Sequence, residues 1–146
     1  MAFFKTLKAK LTGQPAAPAD DLPLAFARLM AALEQQDFEA LLTAAQALLQ
    51  RHDLPPNSSA NVLRLQARAK METGDFAGAV ADYKTLLSGG LDAVSAGLHA
   101  ETLAFYGFSL FKCGAADEAK ALLEQATALA ADDADVKTFL AGIPIN

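Results

Sequence analysis

Apolar residues return every three or four positions through six long stretches of the chain, while glycine, proline, aspartate and serine collect in the gaps. That period marks amphipathic α-helix. The stretches pair into hairpins. The first rises over 23–34, turns at Gln35-Gln36-Asp37, returns over 38–51, and ends in the loop Asp53-Leu54-Pro55-Pro56-Asn57. The second rises over 60–72 behind a cap at Ser58 or Ser59, turns at Thr73-Gly74-Asp75, and returns over 76–87. Ser88-Gly89-Gly90 breaks the chain and 91–97 holds one loose turn. A third pair covers 98–112 and 115–130, and Asp132 or Asp133 caps a short last helix that Gly142 and Pro144 stop.

The turns repeat one another. Gln36-Asp37-Phe38 with Leu41, Gly74-Asp75-Phe76 with Ala79, and Gly114-Ala115-Ala116 with Ala119 occupy the same place in each pair. Gly74 and Gly114 supply the positive φ that ends the rising helix. Asp75 caps the returning one. Ala79 and Ala119 are small enough to let two helices approach closely, and Phe38 and Phe76 pack across their turns. Self-similarity of this kind builds a solenoid whose units stack in a row, and such surfaces mostly bind other proteins.

Two units carry a recognisable set of positions: Leu63, Ala67, Gly74, Asp75, Phe76, Ala79, Tyr83 and Leu86, then Leu103, Gly107, Leu110, Gly114, Ala119, Leu123 and Ala126. The first unit keeps Leu29, Ala32, Asp37 and Phe38 but has Leu41 where alanine is expected. In these positions the chain resembles the tetratricopeptide repeat (TPR) family over about residues 22–131. The resemblance implies an all-α fold: antiparallel hairpins stacked as a short superhelix, with three repeats at about 22–55, 59–88 and 98–131 and a capping helix at about 133–141. The domain as a whole spans 21–146. The turn residues Asp37, Asp75 and Ala115 are 38 and 40 residues apart, against about 34 in the family. The extra residues fall between hairpins, so the superhelix is expected to be irregular there.

The family register also implies a groove, lined by rising-helix positions that face away from the paired helix. Its candidates are Phe26, Met30 and Leu33, then Asn61, Arg64, Arg68 and Met71, then Phe108, Phe111 and Lys112, with Glu101 and Ala104 beside them. Arg64 and Arg68 are suited to a carboxylate through forked hydrogen bonds, unless Glu72, Asp75 or Glu101 claims them first. Phe26, Met30, Phe108 and Phe111 suit a helix or extended peptide. Phe26 and Met30 stand where some family members carry the lysine and asparagine of a carboxylate clamp, which argues against that ligand. The resemblance thus implies a non-enzymatic adaptor or chaperone-like scaffold for a protein or peptide.

Charge adds a second feature. The net charge is −5, yet Lys5, Lys8 and Lys10 fall within the first twelve residues, which hold no acid. Phe3, Phe4, Leu7 and Leu11 share one helical face there, with the lysines off it. A stiff Pro/Ala linker at 13–20 separates this arm from the body. The arm has reason to dock on an acidic protein surface, to join two copies of the chain, or to lie weakly on an anionic membrane. A peripheral membrane scaffold is therefore the alternative reading. The acidic body argues against nucleic acid.

Catalysis finds little support. His52 and His99 sit on different units, and neither shows metal spacing with Cys113, so neither a metal nor a cofactor is expected. Cys113, at a helix end where the dipole disfavours a thiolate, reads as a buried small hydrophobe. Asp132-Asp133-Ala134-Asp135 lacks the glycine and distal glutamate of a calcium loop. Ser88-Gly89-Gly90 lacks the lysine of a phosphate loop. A single cysteine, the absence of a signal-like apolar run, and the absence of a membrane-length one lead us to expect a cytoplasmic protein, with membrane association through the arm as the variant reading.

Overall fold

The computed structural model describes residues 21–144. The arm at 1–12 and the linker at 13–20 lie outside the described residues, so the expectations attached to Phe3, Phe4, Lys5, Leu7, Lys8 and Leu11 do too. Among the described residues the regular structure is all helical. The α-helices are α1 (Leu22–Glu34), α2 (Phe38–Leu49), α3 (Pro56–Glu72), α4 (Phe76–Leu86), α5 (His99–Lys112), α6 (Ala116–Leu129) and α7 (Ala134–Ala141). Two short 3₁₀ turns, Leu91–Ala93 and Ala96–Leu98, join α4 to α5 where one loose turn was expected.

The three tight turns share one hydrogen-bond pattern. The amides of Asp37, Asp75 and Ala115 donate to the carbonyls of Ala32, Lys70 and Leu110 at 3.0, 2.7 and 3.0 Å. Those of Gln36, Gly74 and Gly114 donate to Leu33, Met71 and Phe111 at 3.0, 3.1 and 3.0 Å. This closing pattern needs a left-handed residue just past the helix. Gly74 and Gly114 supply it at φ +93° and +86°, and Gln36 adopts it at +54°, at a cost of about 1–2 kcal/mol for a residue with a Cβ. Side-chain caps start the next helix: Asp37 accepts from the Ala40 amide at 3.1 Å, and Asp75 from Gly78 at 2.9 Å. Ala115 has no such group to offer.

Asp21 and Asp133 cap α1 and α7 in the same way, at 2.9 and 3.1 Å. The start of α3 differs from the expectation of a serine cap near 60. Proline at the first helical position sacrifices no hydrogen bond, so the helix begins at Pro56 behind an extended Pro55, whose carbonyl takes the amides of Ser58 and Ser59 at 2.9 and 3.2 Å. α2 stops at Leu49, two residues short of the expected end.

Each helix packs on the next in chain order, and α5, the first helix of the third hairpin, also touches α3 before it and the capping helix α7 after it. The second helices approach one another less closely. The row of first helices is therefore the inner side of the stack. Three apolar clusters lie between the helices along the stack. Leu29, Leu41, Leu48, Val62 and Leu65 join α1, α2 and α3. Ala67, Met71, Ala79, Tyr83, Leu110 and Leu123 join α3 through α6. Ala104, Ala126, Ala130 and Val136 bind α7 to the last pair. The tightest crossing is at Gly107, where a Cβ would come within 2.8 Å of Leu123 Cγ and 3.3 Å of the Ala119 carbonyl.

Candidate functional site

Packing along the stack fixes what the first helices present. On α1, Met30 is 43% exposed, and Phe26 and Leu33 are half-buried. On α5, Phe108 and Phe111 are half-buried and Lys112 is exposed. Of the α3 candidates, Asn61 is exposed, Arg68 is half-buried, and Arg64 and Met71 are buried, at 9% and 4%. Met71 contributes to the core between α3 and α6 rather than to an open surface.

Both arginines have internal partners. Arg64 donates from Nε and Nη2 to Asn61 Oδ1 at 3.3 and 2.9 Å, and from Nη1 to Glu101 Oε2 at 3.3 Å. Burial lowers its pKa, and the Glu101 carboxylate offsets part of that shift. A guanidinium stays charged under such conditions, so Glu101 offsets its charge and Asn61 accepts its remaining hydrogen bonds. Arg68 lies 3.6 Å from Glu72 and is held between two rings, 5.4 Å from the Phe38 centroid and 5.1 Å from that of Phe105. Its Nε is buried without a hydrogen-bond partner. Asp75 takes no part in this cluster, being committed to the α4 cap.

Aromatic rings continue the surface toward α7. Phe108 meets Phe76 edge-on at 5.8 Å and Phe139 at 5.3 Å, while Phe105 meets Phe139 at 4.9 Å. The Lys112 ammonium sits 5.7 Å from the rings of both Phe76 and Phe108. The sequence reading of this face omitted Phe105 and Phe139. Phe105 sits three residues before Phe108 on one helix, a spacing that places two side chains together. Phe139 lies on a short last helix whose docking depends on long-range packing.

Behind this face, Tyr83 is fully buried and stacks on Tyr106 at 5.7 Å, with its hydroxyl unpartnered. Burial, and secondarily the Glu101 carboxylate, push its pKa up. Asp82 ties α4 to α3 by accepting from Lys70 at 3.0 Å and Gln66 at 2.8 Å.

The other residues weighed for chemistry have structural settings. His99 Nε2 lies 2.8 Å from the Val94 carbonyl, bracing the 3₁₀ segment against α5. Asp133 is a helix cap. Cys113 corrects an expectation: it is exposed, because it lies at the C-cap of α5, where the chain turns at Gly114 and no neighbouring helix covers it. Among the described residues no group of His, Cys, Asp and Glu could hold a metal ion, and no helix is long and apolar enough to cross a membrane. What the inner face offers is contact chemistry: ring faces, aliphatic ends and one exposed ammonium.

The pattern that defines the tetratricopeptide repeat matches residues 70–143, just over half of the chain, from the last turn of α3 through α7. No curated protein matches the chain. Proteins with this repeat generally mediate protein–protein interaction and typically act as non-enzymatic scaffolds. With three hairpins closed by the same turn and that match over its second half, the chain belongs to the tetratricopeptide-repeat family.

Proposed function

We propose that the protein is an adaptor or chaperone-like scaffold whose inner face takes an apolar segment of another protein. The observation that carries this reading is the pair of partly exposed apolar patches on the first helices, Phe26 and Met30 on α1 and Phe108 and Phe111 on α5. Exposed apolar side chains grouped in this way, with Arg68 and its flanking rings between them, mark interaction sites. Because Arg64 and Arg68 already have carboxylate partners, specificity rests less on an acidic group in the middle of the groove than on side chains that fit between rings. An amphipathic helix with anchors one turn apart is the form that suits parallel helices. An acidic residue at one end would meet Lys112.

The reading is tested by capture from native extract on immobilised full-length protein, comparing the original chain with Met30→Glu. Met30 is 43% exposed and belongs to none of the buried clusters, so this change leaves the fold intact, as helical circular dichroism checks. A protein retained by the original and depleted about tenfold by the variant is expected, the usual weight of one interface anchor. Identical captured sets would overturn the reading.

A further inference from the structure

The α1 end of the stack exposes positions that the later hairpins bury. In each hairpin the first helix carries positions twelve, nine and five residues before the left-handed turn residue. On α3 these are Val62, Leu65 and Ala69, at 0%, 1% and 0% exposure, packed on Leu41, Ala45 and Leu48 of α2. On α5 the outer two are Thr102 and Ser109, at 1% and 0%. On α1 the same positions are Leu24, Ala27 and Ala31, and all three are exposed, Leu24 at 43%. Beside them an open groove of about 430 Å³ runs between α1 and α2, lined by Ala25, Arg28, Ala40, Thr43, Ala44 and Ala47. The preceding helix that shields α3 is α2, of 12 residues, and the one before α5 is α4, of 11.

We propose that residues 3–11 of the same chain pack as a helix on this α1 face, standing where α2 stands on α3, and close the end of the stack. The segment has the required apolar face, Phe3, Phe4, Leu7 and Leu11, and the small side chains opposite allow close approach. Charge agrees: the segment carries Lys5, Lys8 and Lys10 and no acid, while residues 21–51 hold Asp21, Glu34, Asp37 and Glu39 against Arg28 and Arg51. Reach agrees as well. The linker 13–20 ends at Asp21, one turn from Leu24, and eight residues extend up to about 26 Å, whereas the groove from Ala40 to Ala47 is about 10 Å long. The occupant is the chain's own arm rather than a second copy, because so short a tether keeps the arm at high local concentration beside the groove.

The test reads thiol reactivity on full-length protein. In a Cys113→Ser background, Ala31→Cys places one thiol on the face, and its rate of reaction with a maleimide is compared with and without Phe4→Asp and Leu7→Asp. An arm docked about nine-tenths of the time makes the reaction about tenfold slower, and the two aspartates release it. The protection should persist on dilution. A control thiol at Leu129→Cys should react alike in both backgrounds. Equal rates at Ala31→Cys, as an arm that seeks only a membrane would give, overturn the proposal. So does protection that vanishes on dilution, which assigns the face to a second copy.

Discussion

Arg68 and Phe108 hold the same position in successive hairpins, and each is seated between a ring from the preceding returning helix and a ring from the following first helix. For Arg68 these are Phe38 and Phe105, and for Phe108 they are Phe76 and Phe139. The guanidinium therefore serves as a flat spacer in a column of rings, and its ion pair with Glu72, long at 3.6 Å, is secondary. Stacked cations contribute about 0.5–1 kcal/mol per ring at partly exposed sites, whereas an i,i+4 pair gives about 0.3–0.5 kcal/mol. Arg68→Ala should cost about 2 kcal/mol, Arg68→Lys about 1 because it keeps the charge but loses the plane, and Glu72→Gln less than 0.5. Urea unfolding of the three variants checks the order. A Glu72→Gln loss equal to that of Arg68→Ala would make the ion pair the main support.

The third turn lacks what the first two have. Asp37 and Asp75 cap their helices, and Ala115 stands in the same place with no side chain to accept. Ala115→Asp should stabilise the protein by about 0.5–1 kcal/mol, the usual value of an N-cap, less some repulsion from Asp117 and Glu118 in the same turn. A rise in thermal midpoint of a few degrees is the expected reading.

Gly107 tests the closest crossing. Alanine there gains about 1 kcal/mol of helix propensity, but its Cβ meets Leu123 at 2.8 Å and a backbone carbonyl at 3.3 Å. The side chain can shift and the carbonyl cannot. Overpacking of about 1–3 kcal/mol wins, so Gly107→Ala should lower the denaturant midpoint. A gain in stability would mean that α5 and α6 are further apart than described.

Tyr83 makes a prediction about pH. Its hydroxyl is buried without a partner, and burial raises its pKa. The unfolded chain ionises near pH 10, while the folded chain holds its proton to higher pH. The stabilisation is thus complete below about pH 10, and above it falls by about 1.4 kcal/mol per pH unit until the folded group ionises. Tyr83→Phe removes both the orphaned hydroxyl and this titration. It should be about 1 kcal/mol more stable at neutral pH, with the gap widening as pH rises above 10. Chemical unfolding at pH 7 and pH 11 measures both.

What the sequence disclosed depends on the range of the cause. The turns at Gly74 and Gly114 are legible because glycine writes left-handed backbone locally, and the turn at Gln36 is legible by its likeness to them, though its own left-handed φ is not. Gln36 shows that the position, more than glycine itself, defines the turn. The start of α3 differs from the serine cap the sequence suggests because Pro56, in the first turn, already suffices. Cys113 is exposed where its type suggests burial, because residue type says nothing of where the covering helix ends. The groove residues were only partly legible. Spacing puts Arg64 and Arg68 on one face of α3, but whether they reach solvent depends on Glu101 and Phe105, about forty residues away on α5. The place of Phe139 follows from the docking of α7, which no local pattern contains.

The central claim is that partners meet the row of first helices. The most direct measurement is photo-crosslinking in native extract, with a photoreactive residue placed at Met30 or Lys112 on that row, or at Leu129 on the returning helix α6, all of them exposed. We expect one protein to crosslink from both Met30 and Lys112 and not from Leu129. Crosslinks that form from Leu129 while Met30 and Lys112 stay silent would contradict the account.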